Sequence, residues 1–310
     1  MYQQIEHNKR KTALLMVTFI VVILLVGYAF AELTDAGVGA LAIAAVFSTV
    51  MALVSFYQGD RIALATAGAQ GPIRSIDNPY LYRLVENLTI TAGLPLPKIY
   101  LITDPVINAF ATGRDPRHAS IAVTTGAVEQ LENEELEGVI AHELSHVKNY
   151  DIRLMTIVLV LVGILALLSD WFLRLRFWGG GSPRFGGEAG RRGDNRGGGG
   201  VQVVLLVVGL ILLIISPIIG QLIQLAVSRK REFLADASGA LLTRYPDGLA
   251  NALEKISRQA TPLRRANNAT AHLYIANPFG SAKHVLSALF ATHPPIEQRI
   301  AALRAMTSHG

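Results

Sequence analysis

Two histidines four residues apart, with a glutamate beside the first, form the segment His142-Glu143-Leu144-Ser145-His146. On a helix, positions i and i+4 lie one turn apart on one face, so both imidazoles can reach a single ion. Glu143 falls at a neighbouring angle, where its carboxylate can take a proton from a water at that ion. Zinc suits such a site, because three protein ligands leave one position open and lower the pKa of a water there towards neutrality. The chain has no cysteine, which excludes disulfides and thiolate ligands, so a metal must be held by His, Asp or Glu.

The element that positions the motif is expected to be a helix beginning after Asn133, a good N-cap, with Glu134, Glu135 and Glu137 in the first turn favoured by the helix dipole. Leu136, Val139, Ile140, Leu144 and Val147 recur at helical spacing, so one face packs inward. A third ligand is needed, and no third histidine follows a few residues downstream as it does in the metzincin pattern. Glu232 is the choice: it lies just after the fourth apolar block described below, as His146 lies just before the third, which places both near one membrane surface. Asp236, one turn later, can accept a hydrogen bond from the free nitrogen of a ligating histidine and hold its tautomer. Taken alone, Glu232 also reads as a surface carboxylate beside basic neighbours. His7, His118, His272, His284 and His309 have no companion at ligand spacing and are left unassigned.

Hydrophobic residues make up 51% of the 310-residue chain and charged residues 16%, below the quarter or so typical of soluble domains. The apolar residues fall in four long blocks: 12–31, 38–57, about 154–172 and about 201–227. Each is long enough at 1.5 Å per residue to approach a bilayer core of about 30 Å. A cleaved signal peptide is the rival for the first block, since Ala29-Phe30-Ala31 mimics a cleavage site. The length of the run and the second block close behind it favour an uncleaved anchor. Lys9, Arg10 and Lys11 precede the first block, whereas the connector to the second carries Glu32 and Asp35 and no basic residue. The N-terminus and residues 58 to about 152 are therefore expected on the cytoplasmic side. The net charge of +5 clusters beside apolar blocks, which fits anionic headgroups; no basic-aromatic motif or phosphate-cradling loop points to nucleic acid.

Residues 98–102 and 120–124 read as strands, and Asn108-Ala109-Phe110-Ala111-Thr112-Gly113 between them as a further, exposed one. Residues 248–259 and 297–306 read as amphipathic helices. The stretch 179–200 is low-complexity and rich in Gly and Arg, and is expected to be disordered. Its position raises a conflict. If the third and fourth blocks both span, Arg174, Arg176, Arg184, Arg191, Arg192 and Arg196 between them lie outside, against the positive-inside rule; a hairpin that dips in without crossing is the other path.

The chain resembles the HtpX-type membrane zinc metallopeptidases, which are related to the CAAX prenyl proteases. The resemblance rests on 142–146, on Ser228-Arg229-Lys230-Arg231-Glu232-Phe233-Leu234-Ala235-Asp236, on 108–113, and on His293-Pro294-Pro295-Ile296-Glu297-Gln298-Arg299. It covers nearly the whole chain, and the long Gly/Arg stretch is its departure. It implies one Zn2+ per chain held by His142, His146 and Glu232, with Asp236 behind the ligands. It implies that His293 helps stabilise the tetrahedral transition state, that Arg299 supports that site, and that a substrate peptide lies against the strand from Asn108 through Ala109, Phe110 and Ala111. It further implies quality control of misfolded or damaged proteins in the cell inner membrane, a stress function.

The expected fold is mainly α with a small β-sheet: a zincin-like peptidase domain plus four hydrophobic helices. The expected divisions are an N-terminal hairpin 1–57, catalytic parts 58–153 and 228–310, and a second helix pair 154–227 carrying the linker 179–200. Two alternatives belong to other classes. A non-catalytic membrane adaptor with a structural zinc would need a fourth ligand and would have no use for Glu143. An intramembrane zinc protease would bury the motif in an apolar helix, whereas Lys148, Asn149, Asp151 and Arg153 flank this one.

Overall fold

Long apolar runs and short amphipathic segments alternate along the chain, and the helices follow that alternation. The computed structural model describes residues 2–34, 37–179, 228–266, 270–279 and 294–307. In chain order it has α1 (Tyr2–Thr34), α2 (Gly37–Ala67), β1 (Ala69–Gln70), α3 (Pro79–Ala92), β2 (Lys98–Ile102), β3 (Ala109–Gly113), β4 (Ala119–Thr124), α4 (Thr125–Gln130), α5 (Asn133–Lys148) and α6 (Asp151–Gly179). After residue 227 follow α7 (Arg229–Thr243), α8 (Pro246–Ser257) and α9 (Ile296–Thr307). The chain is thus mostly helical with one small sheet, as expected. The fourth apolar block, the Gly/Arg stretch and His293 lie outside the described residues.

Among the described residues, three helices are long and apolar enough to cross a membrane: Gln4–Ala29, Gly37–Ala67 and Asp151–Leu168. Large apolar side chains stand exposed along the first two, Leu14, Val17, Ile43 and Val46 among them. That much apolar surface suits hydrocarbon rather than water. α5 is not one of these helices, so the metal motif does not sit inside an apolar span.

The chain forms two compact units. One comprises residues 1–15, 54–160 and 220–310, the other 16–53 and 161–219. The first unit holds the sheet, with strand order β1-β2-β4-β3; β2 and β4 run parallel and the outer pairs are antiparallel. Parallel pairing of β2 with β4 requires a crossover, and β3 is part of that crossover, folded back as the edge strand beside β4.

The core lies between this sheet and α5. Leu136, Val139, Ile140, Leu144 and Val147, the apolar stripe expected from the sequence, are all buried with Ile99, Ile121, Val123 and Leu249. The helix start differs in detail from the expectation. Asn133 is the first helical residue rather than the cap; Glu132 caps, and its N–H donates to the Glu135 carboxylate at 2.8 Å. α5 packs against α7 and α8, and both contacts need glycine. A Cβ on Gly138 would lie 2.7 Å from the Leu249 backbone nitrogen, and one on Gly239 would lie 3.0 Å from that of His142. The second approach brings the face of α7 that carries Glu232, Asp236 and Gly239, at i, i+4 and i+7, directly against the metal motif.

Candidate metal centre

His142 and His146 stack one turn apart on α5, their rings edge to face with centroids 4.8 Å apart. Their Nε2 atoms point to one place, 3.2 Å from each other. Glu232 reaches the same place from α7, with Oε2 3.8 Å from His142 Nε2 and Oε1 3.6 Å from His146 Nε2. All three side chains are buried, and one donor atom from each lies within 4.8 Å of the others. Among the described residues the group holds three donors.

Two imidazoles bound at about 2.0–2.1 Å to a tetrahedral ion would hold their nitrogens about 3.3 Å apart, so the spacing of the histidine pair fits zinc. The donor set of two neutral nitrogens and a carboxylate oxygen, in a chain without cysteine, is also a zinc set.

Each histidine is oriented by a carboxylate at its other nitrogen. His142 Nδ1 lies 2.9 Å from Asp236 Oδ1, the partner expected from the sequence. His146 Nδ1 lies 3.1 Å from Asp151 Oδ2, a partner beyond those expected from the sequence. Carboxylates accept, so each ring carries its proton at Nδ1 and leaves Nε2 free to face the other donors. A short turn makes the second contact: Tyr150 adopts φ of 61°, in the left-handed region, and swings Asp151 back under the end of α5. A signal for Asp151 was present in the sequence, since a carboxylate at the head of an apolar block needs a partner.

Arg299 comes from α9 and is only 1% exposed. It grips Asp236 with two donors, Nε to Oδ2 at 2.8 Å and Nη2 to Oδ1 at 2.7 Å, and donates Nη1 to the Ile275 carbonyl at 2.8 Å. Nη1 also lies 3.8 Å from Glu232 Oε2. Arg299 thus supports two of the three donors, through Asp236 behind His142 and directly beside Glu232.

The buried charges shift one another. Burial opposes a charge on His146, yet the hydrogen bond it donates to Asp151 and the charges of Glu232, Asp151 and Glu143 outweigh it and raise the ring to about 9. Burial lowers His142, with Arg299 and His146 adding to the effect and Asp236 opposing it. Burial drives the Glu143 carboxyl up to about 7, the range of a general base at neutral pH. Burial pushes Asp236 upward, but the charge and hydrogen bonds of Arg299, with His142, hold it down at about 2.

The strand β3 lies beside this centre, and the Ala111 backbone is near enough to Glu143 to oppose the upward push of burial on its carboxyl. The sequence pattern led to an exposed strand here. β3 does lie at the sheet edge, but all five of its residues are buried, because the chain's own groups cover the outer edge. The Ala109 carbonyl accepts from Ile275 N at 3.0 Å, and Asn108 Nδ2 donates to the Ala276 carbonyl at 3.3 Å. Gly113 N donates to Thr156 Oγ1 at 3.2 Å, and Phe110 packs edge to face on Tyr274.

Known proteins similar to this chain are found by sequence and by structure. The profile of peptidase family M48 matches residues 75–307. A protease HtpX homolog of Caldanaerobacter subterraneus subsp. tengcongensis is 46% identical over 99% of this chain and 98% of its own length. A protease HtpX homolog of Thermoanaerobacter pseudethanolicus is 45% identical over 99% of this chain and 98% of its own. Among solved structures, the crystal structure of S. mikatae Ste24p matches with a TM-score of 0.49 and 18% identity, over 98% of this chain and 67% of that one.

Proposed function

The chain belongs to peptidase family M48 and is a membrane zinc metalloprotease, and from that premise we propose that His142, His146 and Glu232 hold one zinc ion and that Glu143 is the general base of peptide hydrolysis. The observation that carries the reading is the convergence of three buried donors beside a fourth, separate carboxylate whose affinity for protons is raised. When bound, zinc supplies Lewis acidity, polarising a peptide carbonyl and making a water acidic near neutral pH. Glu143 takes the proton of the attacking water and delivers it to the departing amine. Asp236 and Asp151 fix the rings, and Arg299 balances the negative charge of Asp236 and Glu232. His293, by family resemblance, steadies the developing oxyanion.

The substrate is an extended protein segment laid along β3 between Asn108 and Ala111. It would take over the hydrogen bonds that Ile275 and Ala276 make to Ala109 and Asn108. In the Glu143→Gln protein, adding a peptide substrate is expected to speed hydrogen exchange at the Ile275 amide. Exchange there that stays unchanged at saturating peptide would remove β3 as the substrate strand.

The active site faces the cytoplasm, since Asn8, next to the basic run Lys9-Arg10-Lys11, is hydrogen-bonded to residues adjoining the site. A site so close to a bilayer meets misfolded or damaged membrane proteins, and the inner membrane is where it would act on them. Cleavage of an unfolded protein such as casein by detergent-purified chain, abolished by chelation and restored by zinc, tests the activity. Zinc held with no cleavage of any unfolded substrate would favour the adaptor alternative.

Zinc binding carries a pH signature. A metal ligand must be deprotonated, and His146 keeps its proton up to about pH 9 in the metal-free protein. Apparent zinc affinity is therefore expected to rise by up to about tenfold per pH unit between pH 6.5 and 9 and to level off above. The metal-free protein should show the opposite trend. A ring raised in the folded state contributes stability that is full below about pH 6.5 and is lost as pH rises through 9. Melting curves with and without zinc at three pH values check both signs.

A further inference from the structure

The first membrane helix carries a buried amide on the same face as its apolar contacts. Asn8, Thr12 and Leu15 follow at i, i+4 and i+7, and Asn8 is 2% exposed. An apolar residue would suit that face if α1 were only an anchor. Instead, both N–H donors and the carbonyl oxygen of the Asn8 amide are engaged. Nδ2 donates to Asp151 Oδ1 at 2.7 Å and to the Asn149 carbonyl at 2.9 Å, while Oδ1 accepts from Arg231 Nη1 at 3.3 Å. Arg231 Nη1 also donates to Asp151 Oδ1 at 3.3 Å. The orientation is unambiguous, because a reversed amide would set its oxygen against a carboxylate and a carbonyl.

We infer that Asn8 is a positioning residue of the metal centre, so that the start of α1 is a working part of the site and not only its tether. Asp151 has two oxygens with different tasks. Oδ1 is held by Asn8 and Arg231, which leaves Oδ2 aimed at His146 Nδ1, 3.1 Å away. The carboxylate is 3% exposed at the head of α6, where water cannot orient it, so its direction depends on these donors. Arg231 precedes Glu232 on α7, so the same knot joins the elements that carry His146 and Glu232 to the N-terminal helix. Only an amide meets every contact here. A carboxylate would repel Asp151, and an aliphatic side chain would leave Asn149 O without its donor and Asp151 Oδ1 with Arg231 alone. Displacing α1 would thus loosen the hold on zinc. The inference rests on the reading of His146 as a metal ligand.

The test uses the full chain in detergent, with zinc affinity measured against a chromophoric chelator and the visible spectrum of the cobalt-substituted protein recorded. Asn8→Leu is expected to weaken zinc about tenfold, the lower end of what outer partners of metal ligands contribute, and to alter the cobalt spectrum. Glu6→Gln, two residues before and on the exposed side of α1, leaves both unchanged. Wild-type affinity and spectrum in Asn8→Leu would overturn the inference. Should that variant not fold, a cycle of Asn8→Asp, Asp151→Asn and the double exchange decides. The exchanged pair restores a donor and an acceptor across the contact, so the double variant is expected to bind zinc several-fold tighter than the two single effects predict together. Additive effects would overturn the inference equally. Zinc affinity that His146→Ala leaves at the wild-type value would instead remove the metal-ligand reading on which it rests.

Discussion

The Glu143→Gln protein is expected to bind zinc as tightly as wild type and to lose turnover by about three orders of magnitude, the usual range for removing a general base. Glutamine keeps the size and shape of this buried side chain, so the packing around it survives. What is lost is a group able to take a proton. No ligand distance depends on Glu143, since the three donors are His142, His146 and Glu232. The substitution also removes a buried carboxyl whose ionisation burial resists, so the variant should melt no lower than wild type. Steady-state cleavage beside metal quantification separates the outcomes. Turnover within tenfold of wild type would end the role assigned to Glu143.

Arg299→Leu is expected to cost both stability and metal. The arginine is fully enclosed and makes a two-pronged contact with Asp236, whose carboxylate it holds at about 2. Removing one partner of a buried pair leaves the other charge uncompensated, a loss of about 3–5 kcal/mol. For a chain of this size that corresponds to a fall in melting temperature of roughly 10 °C. His142 then loses a firmly placed acceptor, and zinc affinity should fall by about 10- to 100-fold. Arg299→Lys keeps the charge but not the fork, and should fall between the two. A leucine variant with wild-type melting and zinc affinity would show that Asp236 does not depend on Arg299.

The metal motif was legible because its chemistry is local. Two candidate donors and a carboxylate within five residues of one helix need only a helical period to be placed together, and the apolar stripe from Leu136 to Val147 supplied it. Glu232 could be chosen from its position beside an apolar block, and Asp236 from its helical spacing to Glu232. Asp151 and Asn8 were not assigned, for a physical reason. Their contacts depend on the turn at Tyr150 and on where α1 begins to pack, which are tertiary facts with no period in the sequence. The edge strand shows the same limit. Its pattern and ends were readable, but the cover over it comes from residues 275 and 276, more than 160 positions away. α3, with its Asn78 cap and Gly93 stop, was also not assigned, although both end signals stand in the sequence.

Glu232 is the donor whose assignment needed most from outside its own segment, and it tests the centre most directly. Purified wild type and Glu232→Ala, each with bound zinc quantified and casein cleavage measured side by side, give the decisive comparison. Expected are one zinc per wild-type chain with zinc-dependent cleavage, and a variant that folds, holds little or no zinc and does not cleave. A Glu232→Ala protein that keeps its zinc and its turnover would contradict the assignment.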